Sequence, residues 1–166
     1  DSRPEEAVAA YEAAAGLAPA DLDVALNLGH ALRLVEAAAG AEEMYRRVLA
    51  IRPGAGMAAV GLAGLLSAAG HTDEALGVLT AAAAAVPDDP AQLRELGMAF
   101  TALDRRKAAL PLLERAVRLA PDNPDMWNAL GATRLAADQP DSAQAAFERA
   151  LDLRPDHVEA INNLGK

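Results

Sequence analysis

The 166 residues contain no cysteine, so disulfides, thiolate-held metals and a cysteine nucleophile are excluded, while the redox compartment stays open. Aromatic side chains are almost as scarce: one Trp, two Tyr and two Phe. Any core must therefore be built from aliphatic and small residues. Two Lys stand beside 13 Arg, and the net charge is −9. That balance argues against nucleic acid, whose phosphates need clustered cations, and against adsorption to an anionic membrane. Long apolar runs are missing too, because a stretch such as LTAAAAAVP falls well short of the roughly 20 residues that span a bilayer. The polar DSRPEE opening has neither an initiator Met nor a signal-peptide pattern, so the chain is expected to be processed or cut from a longer one.

Motifs for chemistry are thin. His30, His71 and His157 stand far apart with no HxxxH or HExxH spacing, so no metal is expected. His71 reads as a turn residue and His157 as lying near a helix start. GAGMAAVGLAG is glycine-rich but lacks the lysine and the preceding strand that a phosphate loop requires. The acidic pairs Glu5-Glu6, Glu42-Glu43 and Asp88-Asp89 suit helix N-termini, where negative charge meets the positive end of the dipole. No catalytic residue, cofactor or metal is expected, and the chain is read as non-enzymatic.

What the chain has in abundance is alanine, 43 residues, and order in its prolines. Pro19, Pro53, Pro87, Pro121 and Pro155 recur every 34 residues. Twelve residues before each comes Ala7, Ala41, Ala75, Ala109 or Ala143. Eight before comes Tyr11, Tyr45, Leu79, Leu113 or Phe147. Nine after is a Leu (28, 62, 96, 130, 164), then a small residue: Gly29, Ala63, Gly97, Gly131 or Gly165. Each Pro ends a helix by lacking an amide hydrogen and disfavouring the α region in its predecessor. A cap and a new helix follow, with Pro90 and Pro124 suited to the first helical position. Asp89 with Gln92 and Asp156 with Glu159 have capping-box spacing. Breaks at Ala69-Gly70-His71 and Asp138-Gln139-Pro140 divide each unit into two helices, and Pro111 is expected close to the start of its helix.

This pattern resembles the tetratricopeptide repeat, a 34-residue unit with Trp, Leu-Gly, Tyr, Ala, Phe, Ala and Pro at set places. Residues 124–157 match best, through Trp127, Leu130, Gly131, Ala143, Phe147, Ala150 and Pro155, with Arg134 where the family has Tyr. Glu36 replaces the inter-helix glycine of residues 22–55, and Leu62-Ala63 the Leu-Gly pair of 56–89. The resemblance implies an all-α α-solenoid, a superhelix of antiparallel helix pairs, in one array over 1–166. It would hold four full repeats (22–55, 56–89, 90–123, 124–157), a half repeat at 4–21 and the start of another at 158–166.

In such a superhelix the first helices line a concave groove that binds a peptide or helix of a partner protein. The groove positions implied in the first half are Leu26, Asn27, His30, Arg33, Val60, Gly61 and Gly64, with Ser67 beside them. Those in the second half are Arg94, Glu95, Met98, Thr101, Asn128, Ala132 and Leu135, with Asn162 and Asn163. A chaperone-tail carboxylate clamp does not fit Leu26, His30, Gly61, Glu95 and Met98, and a ligand-binding asparagine ladder survives only at Asn27 and Asn163. Gly61 and Gly64, each costing about 1 kcal/mol in a helix relative to Ala, either give a ligand room or are tolerated in an alanine-rich setting. The expectation is a non-catalytic interaction scaffold. Its alternatives are the substrate-recognition arm of a larger repeat-fused transferase and a secretion or pilus assembly factor. Uncapped ends would suit head-to-tail contacts between copies.

Overall fold

The computed structural model describes residues 3–165; Asp1, Ser2 and Lys166, part of the expected 1–166 array and 158–166 segment, lie outside them. The described residues form ten helices and no strand, in an all-α, α-solenoid fold built of antiparallel helix pairs. They divide into two compact units. Unit 1 contains α1 (Pro4–Leu17), α2 (Leu22–Leu34), α3 (Ala38–Ile51), α4 (Gly56–Ala68) and α5 (Thr72–Ala85). Unit 2 contains α6 (Pro90–Ala102), α7 (Arg106–Leu119), α8 (Pro124–Ala136), α9 (Pro140–Leu153) and α10 (Val158–Leu164). No helix among the described residues is long and apolar enough to cross a membrane.

Within each unit the hairpins α2/α3, α4/α5, α6/α7 and α8/α9 close through the same turn. Glu36, Gly70, Asp104 and Asp138 all have left-handed backbones, with φ of 58°, 84°, 60° and 56°. The residue after each returns its amide to the first helix: Ala37 to Leu32 O, His71 to Leu66 O, Arg105 to Phe100 O and Gln139 to Arg134 O, at 2.8–3.0 Å. This Schellman geometry satisfies carbonyls that a helix end otherwise strands. Glu36 thus adopts the turn that glycine supplies at position 70, at the steric cost a Cβ carries there.

The periodic residues form the cores. Ala41, Ala75 and Ala109, with Tyr45, Leu79 and Leu113, are fully buried, and Ala143 and Phe147 are nearly so. The small residues face them. A Cβ on Gly131 would fall 2.6 Å from Phe147, and one on Gly97 2.6 Å from Leu113. Each first helix yields side-chain volume so that its partner's large residue can enter.

Asp89 and Asn123, before Pro90 and Pro124, cap their helices as expected, and Asp21 does the same for α2, each accepting an amide hydrogen bond at 2.9 Å. Three expectations need correction. The cap of α10 is His157, whose Nδ1 accepts from the Ala160 amide at 3.3 Å, so Asp156 and Glu159 make no capping box. Pro111 lies in the second turn of α7, which already starts at Arg106. Glu42-Glu43 also falls beyond a first turn; Glu42 instead meets Arg46, whose guanidinium reaches Glu74 as well, at 2.8 and 2.6 Å. That exposed network links α3 to α5 and is worth little stability.

Candidate functional site

In unit 1 the implied groove residues lie on α2 and α4, and the polar ones of α2 share one side of that helix. Their periodicity explains this: Asn27, His30 and Arg33 recur every three residues and project from one side of a helix. Asn27, Arg33 and Gly64 are exposed, while Leu26, His30, Val60, Gly61 and Ser67 are half-buried. Gly61 is not empty space. A Cβ there would lie 2.5 Å from the Cζ of Tyr45, so the missing side chain makes room for that phenol. Gly64, by contrast, has nothing within 4 Å of its Cβ position.

The His30 ring packs against Tyr45 with centroids 5.5 Å apart and planes tilted by 57°. Burial, then the nearby charge of Arg33, lowers the His30 pKa below 6.5 and keeps the imidazole neutral at pH 7. Burial raises the Tyr45 pKa, only partly opposed by Arg33, so its hydroxyl stays protonated.

Unit 2 uses its first-helix polar groups differently. Arg94 pairs with Glu95 at 2.6 Å. The hydroxyls of Thr101 and Thr133 meet at 2.9 Å. Asn128 is buried, donating to Glu159 at 3.0 Å and accepting from Asn163 at 3.1 Å, so its amide is committed to α10. Met98 is exposed, and Ala132 and Leu135 are half-buried.

Other features had no clear sequence signal. Arg134, in the family's Tyr position, reaches Glu114 and the Ser142 carbonyl at 3.4 Å, bridging three helices of unit 2. His157 Nε2 meets Asp125 at 3.0 Å and ties the start of α10 to α8. An apolar cleft of about 320 Å³ on the second-helix side of unit 1 is lined by Leu49, Ala50, Pro53, Val78 and Ala81, with Arg46. No cluster among the described residues has three His, Asp or Glu placed to hold a metal ion.

A known family profile, described as Tetratricopeptide repeat, matches residues 35–97 and 100–166, and a second of the same description matches 1–56. The chain belongs to the tetratricopeptide repeat family. No curated protein matches this tetratricopeptide chain, but solved structures do. YrrB, described as a TPR protein with an unusual peptide-binding site, is 21% identical, with a TM-score of 0.68 over 98% of this chain and 84% of its own. TTC0263 of Thermus thermophilus, a thermophilic TPR protein, is 22% identical, with a TM-score of 0.72 over 98% and 90%. MamA from Desulfovibrio magneticus RS-1 is 25% identical, with a TM-score of 0.67 over 94% and 88%.

Proposed function

We propose that this tetratricopeptide protein is a non-catalytic interaction scaffold whose first-helix face, concave in the superhelix, holds a peptide or helix of a partner protein. Family membership supports a protein-interaction scaffold at the coarse level, and YrrB's description as peptide-binding is consistent with it. The observation that carries the finer reading lies in unit 1, where Asn27, Arg33 and Gly64 are exposed beside half-buried Leu26 and Val60. Polar groups that can bond a peptide backbone thus stand beside apolar positions that can accept its side chains. A single array of four full repeats and two partial ones belongs to the same proposal.

Selection of displayed random peptides on the intact chain tests this. Enriched peptides should bind the wild type and lose most affinity to Leu26→Glu and Val60→Glu variants that keep wild-type helicity. Selected peptides that bind both variants undiminished would move the binding surface off this face.

A further inference from the structure

The 34-residue spacing puts Arg47, Ala81, Arg115 and Arg149 at one place of the second helices, and of these four only Ala81 lacks a long side chain. Unit 2 shows what that place does when it is filled. Arg115 on α7 turns back along the chain, its Nε donating to Asp88 at 2.7 Å and its Nη2 reaching the Val86 carbonyl at 3.5 Å. Its side chain is only 34% exposed, so the methylene stem lies on the protein. One period earlier the same three places hold Ala81, Gly54 and Arg52. There unit 1 has its open apolar cleft of about 320 Å³, with Pro53 and Ala81 in the wall.

The charges around the cleft select its ligand. Arg46 at one end is held by Glu42 and Glu74 at 2.8 and 2.6 Å, so two carboxylates stand against one guanidinium. At the other end α3 terminates: Pro53 has no amide hydrogen to return to the Leu49 carbonyl, and no basic residue stands in the last turn. Arg52, just beyond, pairs with Asp23 at 3.4 Å. An anion would meet carboxylates and the negative end of a helix dipole, whereas a cation is favoured at both ends. We propose that this cleft takes an arginine side chain of a partner segment, its stem on Leu49, Pro53, Val78 and Ala81 and its guanidinium at the carbonyl end of α3. Gly54 supplies no carboxylate like that of Asp88, so the head is held by carbonyls and solvent and the affinity is weak. The site lies on the second-helix side of unit 1 and does not depend on the first-helix face proposed above.

The test titrates the isotope-labelled full chain with three blocked Gly/Ser pentapeptides. Their central residue is Arg, its neutral isostere citrulline, or norleucine, and the reporters are the Ala50, Val78 and Ala81 amides. The Arg peptide should give saturable shifts at all three. Citrulline should bind about threefold more weakly, the loss expected for one charge at a helix end, and norleucine no better than citrulline. Ala81→Arg and Ala81→Met fill the cleft from within and should each abolish the shifts, and Ala81→Arg should leave the melting temperature unchanged or raise it. Silence with the Arg peptide, undiminished binding to both variants, or a lower melting temperature in Ala81→Arg overturns the proposal. Citrulline or norleucine binding as tightly as Arg overturns the cationic assignment. Saturable shifts confined to the Asn27 and Gly64 amides sink the inference and leave the first-helix reading standing.

Discussion

Tyr45 and Phe147 stand at matching places three repeat periods apart, both buried between the helices of a hairpin, and they differ by one oxygen. The difference extends to the faces around them. Unit 2 consumes its polar groups internally, through Arg94–Glu95, Thr101–Thr133 and Asn128 with Glu159 and Asn163. Unit 1 leaves Asn27 and Arg33 exposed and buries the Tyr45 hydroxyl, with Arg33 nearby. Matching positions are thus spent on internal bonds in unit 2 and left facing solvent in unit 1.

The largest effects should come from the shared core. Phe147→Ala should cost about 3–5 kcal/mol by urea unfolding, because a fully packed aromatic leaves a cavity beside Gly131 that cannot collapse readily. Its amide-exchange losses should centre on α8 and α9. Next come the asparagines on which the contrast between the units depends. Asn128→Ala removes a buried amide that bonds exposed Glu159 and half-buried Asn163 and should cost about 1 kcal/mol. Asn27→Ala removes an exposed side chain and should stay within about 0.5 kcal/mol. Equal costs for the two would erase the distinction between spent and unspent faces.

The turns make a smaller test. Glu36→Gly and Asp104→Gly should each stabilise by about 0.5–1 kcal/mol, since glycine enters the left-handed region without the Cβ penalty. Gly70→Ala should destabilise by a similar amount. Melting temperatures of the three variants check the signs, and a destabilised Glu36→Gly would mean that its side chain offsets the strain.

These turns also mark where sequence reading stopped. The 34-residue spacing of the prolines, with alanine, large and small residues in step, was enough for the helix pairs and their cores, because those features are local and periodic. The left-handed backbone at Asp104 and Asp138 was hidden, since only Gly70 declares it by residue type, and at Glu36 the lost glycine marked the position but not the conformation. His157 displaced Asp156 as the α10 cap because its other ring nitrogen finds Asp125, 32 residues earlier. Asn128 read as a groove residue, but its partners are 31 and 35 residues away, and only packing brings α10 to it. Gly61 invited a ligand reading because the phenol filling its space comes from another helix.

The smallest effect separates the units by pH. Burial and Arg33 hold the His30 pKa below its unfolded value of 6.5, so below about pH 6.5 the unfolded chain binds the extra proton and unit 1 loses stability as pH falls. Tyr45 does not titrate in that window, because its pKa is pushed upward from 10.0. In unit 2, Asp89 is held below 3.8 by the Gln92 side chain, then by the Gln92 amide. Its contribution is present above that value and is lost only as the medium becomes more acidic still. Urea unfolding followed through separate amide resonances of α2 and α6 should therefore show a decline in α2 between about pH 7 and 5 while α6 changes little. His30→Gln should flatten the α2 profile. If the slope survives that substitution, the acid sensitivity of unit 1 lies with another group, and neutral burial of the imidazole is not its cause.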